Sequence, residues 1–207
     1  MEFLKKIKAF AILAIFMVVS ANMVAQDAVY KAFKQSYTYE KSGDFKKAVE
    51  ELKKVYDESS YEINLRLGWL NYQAGVFTES VAHYQKALNL MPYSEEAKFG
   101  LILPKAAIGK WDEVIALYQK ILANSSNNTV ACYRLGLIYY GKKDYDQAYK
   151  YFEKVVNLYP FDYDGLIMFA WTNFQMGKLR EAKVLFNKVL LFSPDDKSAN
   201  EGLKLIK

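Results

Sequence analysis

The chain has 207 residues, 52% of them hydrophobic and 25% charged, with a net charge of +5, one cysteine and one histidine. A lone Cys132 excludes an intramolecular disulfide, and with only His83 beside it, metal sites built on Cys and His and His-dependent triads have almost no material. The basic residues are spread along the chain rather than gathered on one stretch, which does not point to nucleic acid, and the single glycines form no phosphate-cradling loop.

Residues 1–25 form a separate segment. A basic start through Lys5, Lys6 and Lys8 leads into an apolar run from Ala9 to Val19, then small residues from Ser20 to Ala25. This is the layout of a secretory signal peptide, with cleavage expected after Ala25 or, alternatively, after Ala21. The run is short for a membrane span, so the expected location is exported, periplasmic or secreted, with an uncleaved N-terminal anchor as the minor alternative and no stable membrane span after cleavage.

From Tyr61 onward the chain repeats every 34 residues, giving units 61–94, 95–128, 129–162 and 163–196, with a shorter upstream copy at 29–60. The eighth residue of each 34-residue unit is Gly68, Ile102, Gly136 or Ala170, and the twentieth is Ser80, Val114, Ala148 or Ala182. Small pairs at those places suit two helices that cross closely. Gly75, Gly109, Lys143 and Gly177 follow the first apolar stretch and mark a turn, as Gly43 does upstream. A second stretch then carries Tyr84, Tyr118, Phe152 and Phe186, with Leu52 in the equivalent upstream place, and Pro92, Pro160 and Pro194 stop it. The spacing predicts helix, tight turn, helix, five times over. The tail from residue 197 to 207 begins one more first helix, with Leu203 and Ile206 placed to cover the last unit.

A fixed period of this size marks stacked units, none of which can bury its apolar face alone. The pattern resembles the tetratricopeptide repeat, best in unit 129–162, where Leu135, Gly136, Tyr139, Tyr145, Ala148, Phe152 and Pro160 fall in place. The resemblance implies an all-α fold, a right-handed superhelical solenoid of helix-turn-helix repeats with a C-terminal capping helix. Unit 95–128 departs from it: Ile102 and Val114 replace the small pair, and Pro104 inside the first helix is expected to remove a hydrogen bond to Gly100 and kink the rod.

In that family the first helices line the inner face, so helical spacing selects the fifth, ninth and twelfth residues of each unit. These are Phe33, Tyr37 and Glu40; Leu65, Trp69 and Tyr72; Phe99, Leu103 and Ala106; Tyr133, Leu137 and Tyr140; Ile167, Trp171 and Phe174. All but Glu40 and Ala106 are large aliphatic or aromatic residues, and no Asn occupies a ninth place, so the carboxylate clamp found in some family members is not expected. The expected function is a non-catalytic scaffold whose groove takes an apolar or aromatic peptide or helix of a protein partner, without cofactor, metal or catalytic residues. The alternative is a carbohydrate-binding module that stacks sugars on the same aromatics.

The remaining polar features have plainer readings. Acidic pairs at Glu95-Glu96, Asp112-Glu113 and Asp195-Asp196 fall at predicted helix starts, where carboxylates meet free N–H groups. Lys54, Lys86, Lys120, Lys154 and Lys188 recur at one place per unit and read as a solvated ridge. Cys132 reads as a packed apolar group and His83 as a partly packed ring.

Overall fold

The computed structural model describes residues 26–206. Within them every regular element is an α-helix: α1 (26–41), α2 (Phe45–Lys53), α3 (Tyr61–Gln73), α4 (Phe77–Leu90), α5 (Glu95–Ala107), α6 (Trp111–Asn124), α7 (Thr129–Gly141), α8 (Tyr145–Leu158), α9 (Tyr163–Gln175), α10 (Leu179–Leu190) and α11 (Lys197–Leu205). None of these is long and apolar enough to cross a membrane. The basic and apolar segment before residue 26, read above as a signal peptide, lies outside the described residues.

The starts of the first helices follow from a column of capping residues. Ser60, Ser94, Asn128, Asp162 and Asp196 stand one period apart, and each side chain accepts a hydrogen bond from the backbone N–H three residues on, at 2.7 to 3.2 Å. Each bond satisfies a donor that the helix leaves open at its start. Glu95 and Glu96 sit in the first turn of α5, Asp112 and Glu113 in that of α6, and Asp196 is itself a cap, so the acidic pairs serve helix starts. The turns between paired helices also follow the sequence. Gly43, Gly75, Gly109 and Gly177 take φ of 73 to 76°, and Lys143 holds the same left-handed conformation at 60°.

The chain divides into two compact units, one ending at Ile108 and the other beginning at Gly109. The division falls in the turn of the irregular repeat 95–128. Despite Pro104, α5 runs unbroken for 13 residues, as long as α3, α7 and α9, because the proline lies in its last turn, where its own carbonyl accepts from Ile108 N–H at 3.1 Å.

In the first unit, α1, α2 and α3 share a core of Ala32, Ala48, Leu52, Ile63, Leu67 and Leu70. Tyr84 of α4 lies between two glycines. A Cβ at Gly68 would meet its ring at 2.8 Å, and one at Gly100 would come closer still. Ser80 Oγ donates to the Gly68 carbonyl at 2.7 Å, so the small pair does meet, but the space at the glycine is filled by an aromatic ring. The second unit repeats this device: a Cβ at Gly136 would lie 2.6 Å from the Phe152 ring, and Gly202 of α11 accommodates Phe186. Leu203 and Ile206 pack on that unit's core while Lys204 faces solvent, as expected of a capping helix.

One core position conflicts with its surroundings. Lys98 occupies the column held by buried Asn64, Cys132 and Leu166, is only 4% exposed, and its Nζ finds no hydrogen-bond partner among the described residues. Taking an ammonium out of water without a partner is costly. Lys98→Met is therefore expected to stabilise the chain by about 1–2 kcal/mol, measured as a higher denaturant midpoint at unchanged slope. A lower midpoint would show that the ammonium has a partner.

Candidate peptide-binding faces

The predicted inner-face residues fall into two sets, one in each unit. Helices α1, α3 and α5 carry Phe33, Tyr37, Leu65, Trp69, Tyr72, Phe99 and Leu103 in the first unit. Helices α7 and α9 carry Tyr133, Leu137, Tyr140, Ile167, Trp171 and Phe174 in the second. Tyr37 is 51% exposed and Leu103 36%; the others are half-buried, except Ile167, which the core takes up at 7%. Much of this apolar surface is therefore spent on packing between neighbouring helices, and the rest remains open to solvent.

In the first unit the aromatic rings are pinned by a polar group that sequence reading passed over. Glu40 Oε2 receives Arg66 Nη2 at 2.6 Å, and its Oε1 receives the Trp69 indole N–H at 2.6 Å. The Arg66 guanidinium, 8% exposed, lies 3.8 Å from the Tyr37 ring centroid and also reaches Ser36 Oγ at 3.4 Å. Burial pushes the Glu40 carboxyl upward, but the bonds from Arg66 and Trp69 and the Arg66 charge outweigh it, so the group stays below the ordinary Glu range. The acidic exception in the predicted inner face is thus a clamp between the first two repeats. Its only sequence signal was a carboxylate in an apolar column, with Arg66 three residues before Trp69. Next to it, Trp69, Tyr72 and Phe77 follow one another with centroids 6.1 and 5.8 Å apart.

In the second unit Trp171 has a comparable anchor. Its indole N–H donates to Ser198 Oγ of α11 at 2.8 Å, and its ring stands edge-on to Phe186 at 5.0 Å and to Phe174 at 5.5 Å. Tyr133 packs at 5.9 Å from Phe152, and Tyr140 edge-on to Tyr145 at 5.4 Å. Both indole N–H groups are satisfied inside the chain, which leaves apolar ring faces and edges as the available surface.

The other polar candidates sit in packing roles. Cys132 is fully buried, and burial pushes its thiol up, away from the reactive thiolate. His83 Nδ1 is 3.1 Å from Asn64 Oδ1, its ring edge-on to Tyr56; burial and then Lys86 and Lys53 depress its proton affinity. No group of three or more His, Cys, Asp or Glu residues among the described residues is placed to hold a metal ion. In the lysine ridge Lys54, Lys86 and Lys120 are exposed, and Lys154 and Lys188 are half-buried. Lys86 lies over the Tyr56 ring at 5.3 Å and Lys188 over Phe161 at 5.4 Å, each ammonium covering an aromatic from the loop before its repeat.

Paired helices of equal period, glycine turns and first-helix faces that keep large rings partly open define an all-helical repeat protein. Family models for the tetratricopeptide repeat match residues 33–95 and 129–162, so the chain carries tetratricopeptide repeats. No curated protein matches it. Among solved structures, a tetratricopeptide repeat protein from Parabacteroides merdae ATCC 43184 is similar with a TM-score of 0.74 and 20% identity, covering 87% of this chain and 72% of that one. A MamA protein is similar with a TM-score of 0.70 and 24% identity, over 80% of this chain and 91% of its own. MamA from Desulfovibrio magneticus RS-1 gives 0.70 at 19% identity, over 83% and 98%. At such identities the likeness concerns the fold.

Proposed function

We propose that the chain is a non-catalytic binding scaffold that works after export, in the cell envelope or outside the cell, and takes an apolar or aromatic peptide or helix on its first-helix faces. The observation that carries this reading is the state of the two tryptophans on first helices. Trp69 and Trp171 are held by their indole N–H groups to Glu40 and Ser198, yet each ring keeps part of its surface in solvent. Rigid aromatics that are already ordered lose little freedom on binding, which suits them as anchors for an apolar partner. Helix-repeat folds commonly use such surfaces for protein partners. The peptide reading is preferred to a carbohydrate one because the polar groups beside these rings, Glu40 and Ser198, are already engaged within the chain, whereas a sugar would need free ones.

The test compares the wild type with a Trp69→Ala, Trp171→Ala double variant as bait in envelope extracts, after circular dichroism has shown that both are folded. Recovery of the partners is expected to fall about tenfold or more in the variant. Recovery of the same partners in equal amount would sink the first-helix faces as the binding surface. Retention of glycans that survives the double substitution would favour neither reading and would place binding elsewhere on the chain.

A further inference from the structure

The second unit carries another exposed aromatic surface, outside the fifth, ninth and twelfth positions, on the loops that precede α9 and α11 and on Tyr163, the first residue of α9. Tyr159 is 59% exposed, Phe161 66%, Tyr163 39%, Leu191 75% and Phe192 40%. Three of them form a contiguous ledge, with Tyr159 and Leu191 exposed in the same loops: Phe192 stands edge-on to Phe161 at 5.8 Å and to Tyr163 at 6.4 Å, and the Tyr163 hydroxyl donates to Asp196 Oδ2 at 2.7 Å. Turns need polar, compact residues, and nothing in a helix-turn-helix repeat requires this much aromatic surface in a loop. Unit 95–128 closes without any, in Asn124-Ser125-Ser126-Asn127-Asn128, and unit 61–94 exposes Tyr93 in the place of Phe161 with no ring from the following loop in contact with it.

Charge tells what would cover the ledge. Residues 158–164 and 191–197 hold Asp162, Asp164, Asp195 and Asp196 against Lys197, with Lys188 the other cation at the rings, in a chain whose net charge is +5. Asp162 and Asp196 are occupied as helix caps, but Asp164 and Asp195 make no ion pair among the described residues and are exposed. The Phe161 ring already accepts one ammonium, that of Lys188. We propose that this ledge is a docking site for a cationic, partly apolar peptide segment, one that sets arginine or lysine against the rings and the two free carboxylates and leucine-like side chains against Leu191 and Phe192. Anionic membrane and nucleic acid are repelled by the same carboxylates. It is built on the inter-repeat loops rather than on the first-helix positions named above, with Asp164 lying near one of those positions, Tyr133.

The probe is a short fluorescein-labelled peptide alternating leucine and arginine, with a leucine–glutamate peptide as its counterpart, titrated by anisotropy against the full chain. The arginine peptide is expected to bind, to weaken at high salt, and to exceed the glutamate peptide by about tenfold or more. A Phe161→Ser, Phe192→Ser variant and an Asp164→Asn, Asp195→Asn variant, all at exposed positions and checked for unchanged circular dichroism, are each expected to lose about tenfold. Trp69→Ala should leave this affinity within about twofold, which separates a failure here from a failure of the first-helix reading. Absence of binding, equal binding of both peptides, or no effect of the ledge variants would overturn the proposal. So would sedimentation of the wild type as a dimer that the phenylalanine variant converts to monomer, since a second copy would then be the occupant.

Discussion

Gly100→Ala is expected to destabilise the chain by about 3 kcal/mol, the upper range of overpacking costs. A single added methyl group is normally worth far less and would even favour a helix. The difference lies in Tyr84, 3% exposed and wedged between Gly68 and Gly100, so that a new Cβ at Gly100 would fall well inside contact distance of ring atoms Cε1 and Cζ. The ring is buried and packs over Gly68 on its other side, where an added Cβ would itself lie 2.8 Å from it, so it has little room to move away. Thermal or denaturant unfolding of four chains makes the test: wild type, Gly100→Ala, Tyr84→Leu and the double variant. A smaller side chain at position 84 should relieve most of the alanine's cost, so the two substitutions should couple by about 2 kcal/mol. If Gly100→Ala stabilises the chain, as an unpacked helix position would, the wedge is wrong.

The second large effect is expected at Glu40. Glu40→Ala leaves the Arg66 guanidinium, which is 8% exposed, without its carboxylate and removes the acceptor for Trp69. Breaking a buried pair on one side costs about 3 kcal/mol, whereas Glu40→Gln, which keeps an oxygen for Trp69, should cost less. The sign of the pH dependence follows from the lowered proton affinity of Glu40. A carboxyl whose folded value lies below its unfolded value of about 4.3 contributes stability above that pH and loses it as acid protonates the folded group. The gap between wild type and Glu40→Ala should therefore be full at neutral pH and narrow below about 4. An undiminished gap in acid, or a change within about 0.5 kcal/mol at neutral pH, would show that the clamp contributes little.

These two sites also show where sequence reading reached its limit. From Tyr61 onward the 34-residue period anticipated the helix pairs seen among the described residues, because apolar residues, turn glycines and stopping prolines act through local backbone geometry. Even Lys143, in a place where the other repeats have glycine, keeps the left-handed turn, since the fold around it imposes the conformation. The capping column from Ser60 to Asp196 was equally legible in principle, being one polar residue per period before each first helix. The Gly68–Tyr84–Gly100 wedge was not, because it joins residues from three successive helices, and a small residue does not say which ring will fill the space it leaves.

The same division holds for the surfaces that carry function. Helical spacing was enough to place thirteen large residues on the first helices, since side-chain direction in a helix is set by position alone. How much of each ring stays in solvent depends on neighbours from other repeats. Ile167 goes into the core, Tyr37 stays half open, and Trp69 and Trp171 are tied to Glu40 and Ser198, partners 29 and 27 residues away. The exposed ledge of Phe161, Tyr163 and Phe192 is likewise a product of folding, which brings two loops a full period apart into ring contact. The sequence by itself determined that this protein is a stack of paired helices with aromatic first-helix faces, because period and turn chemistry are local properties. Only the tertiary structure decided which aromatics are walls and which are surface, because burial depends on residues brought together across repeats.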